Sequence, residues 1–252
     1  MRPPSARAAL CALFSLALCP APHSLLHAQS PDSAEGVRLS SHPQRTLQLL
    51  VFTPEIPGRY PAILALPSAP PSSPGFESEK TLLQHLAQRG FVTAILRTPE
   101  GRALDTPSDA RAALAFLQSH AESLPILPHS IGILGTGRGT LAAADAAFAN
   151  PKHPVSIQAC MLLENAPEFP PNRSANRTPP TLLVSSSAPL AEARIQIALE
   201  ALRARSAAPE IVPVQNAPAD FWMQPPWAAR VEELAARFFA THLGGVQPLI
   251  PD

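Results

Sequence analysis

Residues 131–139 read Ile131-Gly132-Ile133-Leu134-Gly135-Thr136-Gly137-Arg138-Gly139, and an alanine-rich run from Thr140 to Phe148 follows at once. An apolar run of strand length, broken by glycines at every second position and resumed by helix formers, predicts a strand, a sharp turn and a helix. The three glycines of the turn are the point from which the rest of the chain is read.

Outward from this turn, strand-like and helical patterns alternate. Val37 to Ser40, Leu47 to Thr53, Ala62 to Leu66, Phe91 to Leu96, Ile131 to Gly135, Ile157 to Leu163, Thr181 to Ser185 and Ile211 to Val214 read as strands. Lys80 to Gln88, Asp109 to His120, Thr140 to Phe148, Leu190 to Ser206 and Ala228 to His242 carry apolar residues at helical spacing. Helices falling between or after strands predict an α/β fold, a single domain whose mainly parallel eight-stranded sheet is flanked by helices. The 32 prolines gather between these elements, in Pro67 to Pro74 and Pro167 to Pro180, and so read as loop markers. The loop from Asn165 to Pro180 is long enough for a lid but reads more simply as a surface excursion. Asn172 and Asn176 stand in glycosylation triplets, whose use depends on the host.

A chain of 252 residues with 46% hydrophobic content can bury both faces of such a sheet. Its formal net charge of zero removes the basic footprint that a nucleic-acid partner requires. Arg2 and Arg7, the apolar stretch Ala8 to Leu18, and Pro20 and Pro22 match a secretory signal peptide, and the stretch is too short to span a membrane. Residues 1–28 are therefore expected to be a leader cut after Ala28, leaving a domain over 29–252 that is secreted or periplasmic. Leu26 fits that cut poorly, and Cys19 resembles a lipoprotein box only loosely, because Leu18 stands where a small residue is expected. Removal of the leader takes Cys11 and Cys19 away and leaves Cys160 without an internal partner.

The run from Tyr60-Pro61-Ala62-Ile63-Leu64 through Ile133-Leu134-Gly135 to Pro180-Thr181-Leu182-Leu183-Val184 resembles the α/β-hydrolase superfamily, most closely its dienelactone hydrolase-like branch, over nearly all of the chain after the leader. Asp109, opening the helix before the glycine turn, fits the same frame. The resemblance implies a catalytic triad, and each position is degenerate here. The nucleophile of the Gly-x-Ser-x-Gly elbow falls on Gly137. The acid falls near Ala188 or Pro189, with no Asp or Glu between Glu168 and Glu192. The histidine falls on Ala219, within Ala217-Pro218-Ala219-Asp220-Phe221, and no histidine lies between His153 and His242. Pro67-Ser68-Ala69-Pro70 stands where the branch tends to show a His-Gly pair in its oxyanion loop.

Hydroxyls near these positions are the remaining candidates. Thr136 and Thr140 flank the missing serine, but with no histidine to name as base they read as turn and helix-start residues. Ser185, Ser186 and Ser187 end a strand, where ligand contacts gather in parallel sheets, although serines there also cap helices. Ser68, Thr136, Arg138, Ser185, Phe221 and Trp222 are the candidate pocket residues, the two aromatics reading equally as packing under the last helix. His242, in the last turn of a helix, suits the helix dipole. Cys160, in mid-strand, reads as a buried hydrophobe. No HExxH or paired histidine pattern supports a metal, and no cofactor is implied.

The expected function is thus a non-catalytic hydrolase homologue that binds a small molecule or a protein partner. The alternative is an ester hydrolase with a displaced nucleophile. A lesser alternative takes Gly135, Gly137 and Gly139 as a dinucleotide or phosphate loop, with Arg138 on the anion and Glu164 on a ribose. Its spacing is GxGxG rather than GxGxxG.

Overall fold

A computed structural model describes residues 35–42, 45–97, 107–148, 155–164, 178–186, 189–203, 209–218 and 220–245. The expected leader, the loop from Asn165 to Arg177 with both glycosylation triplets, and Ala188 and Ala219 lie outside the described residues.

The strands are β1 (Glu35–His42), β2 (Arg45–Phe52), β3 (Tyr60–Leu66), β4 (Val92–Arg97), β5 (Ile126–Thr136), β6 (Ala159–Leu163), β7 (Thr181–Ser186) and β8 (Glu210–Val214). They form one sheet in the order β1-β2-β4-β3-β5-β6-β7-β8. β2 pairs antiparallel with both β1 and β4, and every other pairing is parallel, so β2 alone runs against the rest. The mainly parallel sheet expected from the alternation of patterns is the one observed.

The helices of the described residues are α1 (Pro74–Gln88), α2 (Pro107–Ser119), α3 (Gly139–Ala147), α4 (Pro189–Arg203) and α5 (Trp227–Leu243). Strands β3 to β7 are buried apart from Arg97 at the end of β4 and the stretch 127–130 of β5, as continuous apolar runs between two helical layers must be. One core lies under α2 and α3 and includes Leu114, Leu117, Ala143, Ile133 and Cys160. The other lies under α1 and α5 and includes Phe76, Leu83, Leu86, Leu134 and Phe239. Gly132 lets the second core close, because a Cβ there would stand 2.7 Å from the Phe239 ring.

One boundary changes the chemistry. The proline run 67–74 ends in a helix start rather than in loop. Pro74 is the first residue of α1, and Ser73 caps it, its Oγ accepting from the Phe76 backbone N–H at 3.3 Å. Proline at the first helical position loses no intrahelical bond and has the right φ, which is why the helix begins six residues before the expected Lys80. That extra length places Glu79 on the buried face of α1, between Phe76 and Leu82 and Leu83.

Candidate functional site

Ser68 follows β3, Thr136 and Gly137 end β5, and Glu164 follows β6, so one edge of three neighbouring parallel strands collects them at their carboxyl ends. This is the edge at which open α/β sheets bind ligands.

The turn is tightly built. Gly137 has φ +44°, a left-handed backbone that favours glycine. Its N–H donates to Leu163 O at 3.1 Å, and its carbonyl accepts from Thr140 Oγ1 at 2.7 Å, which gives Thr140 the helix-start role expected of it. A Cβ on Gly139 would stand 2.0 Å from Leu66 O, so α3 starts directly against the end of β3. A Cβ on Gly137 would stand 2.6 Å from Ser68 Cβ, 3.3 Å from Ser68 Oγ and 3.4 Å from Glu164 Oε2. The volume that a side chain at the turn would take is already held by Ser68.

Beneath Ser68 lies Glu79, 3% exposed. Its Oε1 accepts from the Ser68 N–H at 3.0 Å, from Ser68 Oγ at 3.2 Å, and from Thr136 Oγ1 through a short hydrogen bond. The Ser68 N–H also donates to Thr136 Oγ1 at 3.0 Å. Oε2 of the same carboxyl is buried with no hydrogen-bond partner. Burial pushes the Glu79 carboxyl up to about 7, against the lowering pull of its three donors, and the nearby Glu164 charge adds to the rise. Glu164, half-buried, holds φ +78°, accepts from Trp222 Nε1 at 3.3 Å, and is raised mainly by burial and further by Asp220. Among the described residues, neither carboxyl is paired with a cation.

The expected pocket residues divide. Ser68 and Thr136 meet at Glu79, and Arg138 is exposed on the turn. Ser185 is buried, its Oγ donating to Ser186 O at 3.0 Å. Phe221 and Trp222 are buried in the core under α1 and α5, and the Trp222 indole N–H donates to Glu164. Cys160 is fully buried, and burial pushes its thiol well above the ordinary range, as a core residue requires. No described histidine bonds to Ser68 or Thr136: His85 pairs with Glu232, His120 with Ser119 and Phe116 O, and His242 packs on Phe238. Pro189 opens α4.

Glu79 was not among the residues singled out from the sequence, and Glu164 entered only as a ribose partner. The signal for Glu79 was Ser73-Pro74, which starts a helix and sets an acid inside the apolar stripe Phe76, Leu82, Leu83 and Leu86.

No family model matches this chain, and no curated protein does either. Solved structures do. A thermophilic esterase from the Planctomycetes species Thermogutta terrifontis, with propionate bound, is 19% identical over 88% of this chain and 98% of its own, with a TM-score of 0.68. Esterase 2 of the same species, phosphonylated by sarin, is 18% identical over 88% of this chain and 99% of its own, with a TM-score of 0.71. The fold is of the α/β-hydrolase type. In an α/β-hydrolase the nucleophile stands at the strand-to-helix turn, and one oxyanion donor is a backbone N–H of the loop after β3. This chain has Gly137 at its own strand-to-helix turn, and after β3 the Ser68 N–H donates to Glu79 and Thr136.

Proposed function

We propose that this chain is an exported, non-catalytic relative of the dienelactone hydrolase-like enzymes, cut from its leader near Ala28, that binds a ligand at the former elbow. The observation that carries this reading is the seat of Ser68. Its Cβ stands 2.6 Å from where a Cβ of residue 137 would be, so the turn has been rebuilt around a glycine rather than merely stripped of a serine. The polar groups around it are carboxyls, whereas acyl transfer needs a base beside a nucleophile and donors for a developing oxyanion. The same carboxyls disfavour a phosphate or dinucleotide at the GTGRG loop, since Glu164 Oε2 would meet any group seated on Gly137.

Covalent labelling tests the reading. Purified protein incubated with an excess of a fluorophosphonate should show no mass increase, and hydrolysis of short-chain aryl esters should stay at background. A mass increase that maps to a serine or threonine sinks it.

A second reading has one specific observation in its favour. Ser68 Oγ donates to a carboxyl whose proton affinity is centred near neutral pH, so Glu79 would take the hydroxyl proton as Ser68 attacked an ester carbonyl. Turnover that disappears in Ser68→Ala would establish this displaced nucleophile. Its weakness is electrostatic: an oxyanion formed there would face Glu164 and find the Ser68 N–H occupied.

A further inference from the structure

We infer that Glu79 is a proton-operated latch: residues 67–72 form a strap over the turn at Gly137, the protonated carboxyl holds the strap down through Ser68, and loss of the proton lets it lift.

The sequence of the strap leaves one place to fasten it. Pro67, Pro70 and Pro71 have no N–H, Ala69 has no polar side chain, and Ser72 is exposed. Among the described residues, the hydrogen bonds that tie the strap to the rest of the fold all start at Ser68. Its N–H and Oγ donate to Glu79 Oε1 at 3.0 and 3.2 Å, and the N–H also donates to Thr136 Oγ1 at 3.0 Å. The next bonds along the chain are local, from Ser73 N–H and Oγ to Pro70 O at 3.0 and 2.8 Å. The other half of the fastening is fixed, because α1 carries Phe76, Leu83 and Leu86 into one core and β5 lies in the middle of the sheet. Lifting Ser68 is therefore the smallest motion that lets water reach Glu79. The same motion uncovers Gly137, beside which Ser68 Cβ fills the space.

The closed latch suits a neutral acid. Glu79 is 3% exposed and its Oε2 has no partner, a defect that costs far more on a carboxylate than on a carboxylic acid. With the proton on Oε1, the acid donates to Thr136 Oγ1, whose own proton then turns to Leu66 O at 3.4 Å. Of the charges on neighbouring elements, Glu164 after β6 acts on Glu79 and raises its proton affinity, and Asp220 raises that of Glu164 in turn. Arg97 at the end of β4, Arg138 on the turn and the Lys80–Glu77 pair on α1 form no ion pair with Glu79, and the charges of α5 meet the far end of α1. Burial pushes the closed carboxyl up to about 7, and water around a lifted strap returns it towards 4.5. Below that window both states hold the proton. Within it the lifted state releases its proton first, so opening grows with pH and levels off above 7. The opening constant should rise roughly 70-fold between pH 5 and pH 8.

Amide hydrogen exchange of the purified protein, corrected for the intrinsic rate at each pH, reads the latch at the Ser68 N–H. Its protection should fall by that factor from pH 5 to pH 8. At both it should exchange faster than Leu64 and Ala94, buried in β3 and β4, which open only with the whole fold. Glu79→Gln keeps the acceptor and cannot ionise, so Ser68 should stay protected with little pH slope. Glu79→Met keeps the volume and removes the fastening, so Ser68 should exchange quickly at pH 5 as well as at pH 8. Exchange is read on the free protein, so its outcome and that of phosphonate labelling are independent. Ser68 protection that does not change with pH, exchange no faster than that of Leu64 and Ala94, or a wild-type slope surviving in either variant overturns the inference.

Discussion

The two ends of α1 hold their acids in opposite company. At the carboxyl end, His85 Nδ1 meets Glu232 Oε2 at 2.7 Å, and Arg89 reaches Glu232 at 3.1 Å and Glu233 at 2.7 Å, so helix α5 brings acids to an imidazole and a guanidinium. At the amino end, Glu79 meets hydroxyls and a backbone N–H, and the nearest charge that acts on it is another carboxyl. The seam between α1 and α5 is half-exposed, and its acids meet a guanidinium. The elbow end is buried, close-packed and unbalanced. An apolar residue there would pack more cheaply than an unbalanced buried acid, so Glu79 costs the fold stability. The contrast also sets the scale of what substitutions should do.

The largest effect is expected where the elbow has no slack. Gly139→Ala would put a methyl group 2.0 Å from Leu66 O and 2.7 Å from Leu66 C, both backbone atoms of β3. Since a strand in the middle of the sheet cannot retreat, α3 must, and the expected loss is more than about 4 kcal/mol, at the far end of single substitutions. Chemical denaturation measures it; a loss below about 1 kcal/mol would mean that α3 does not rest on β3 and that the elbow is as forgiving as the seam.

Next is the pH dependence of Glu79. Free carboxyls of this kind titrate near 4.5 and this one near 7. Below that window both folded and unfolded chains hold the proton. Within it the unfolded chain releases its proton first, so the folded state binds more protons and stability falls as pH rises, levelling off above 7. The shift corresponds to a loss on the order of 3 kcal/mol between pH 4.5 and 8. Glu164, also raised, acts in the same direction. Unfolding free energies at pH 5 and pH 8 should therefore converge in Glu79→Gln by most of that amount, and an unchanged slope would show that Glu79 is not the buried acid responsible.

Gly137→Ser follows, at about 2 kcal/mol. A left-handed φ costs a non-glycine residue about 1 kcal/mol, and Ser68 Cβ must move to admit the new side chain. Trimming Ser68 to glycine in the same protein should recover the second part, a coupling of about 1 kcal/mol readable in a double-mutant cycle. Additive losses would mean that Ser68 does not hold the space. Neither variant should hydrolyse aryl esters, because no described histidine reaches the turn.

Much of this was legible from residues alone. Continuous apolar runs such as Ala62 to Leu66 and Thr181 to Ser185 carry the parallel sheet in their composition, and Gly135-Thr136-Gly137-Arg138-Gly139 marks its turn. The site was less legible than the sheet. That Gly137 has no nucleophile can be read from one position, but that Ser68 occupies its place is a contact between residues 69 positions apart, which no local pattern records. Glu79 was hidden by the prolines before it: Pro67 to Pro74 looks like loop until Ser73 is recognised as a cap and Pro74 as a first helical residue. Phe221 and Trp222 fit rim and core equally in sequence, and their burial beside α5 comes from contacts that no local pattern records.

The smallest effect belongs to the seam. Arg89 keeps 43% of its side chain exposed and bridges Glu232 and Glu233, the second of which is mostly exposed. Water screens such pairs, and holding two long side chains in one geometry offsets part of their attraction, so Arg89→Ala should cost about 0.5 kcal/mol and less at high salt. Measured beside Glu79→Gln, it separates the two ends of α1 by their response to salt as well as by size. The seam variant should lose its deficit by 1 M salt, whereas the Glu79 effect should persist, because mobile ions do not reach a buried carboxyl. If salt erased both effects equally, Glu79 would be as solvated as Arg89, and the case for an unsatisfied acid beneath Gly137 would fall with it.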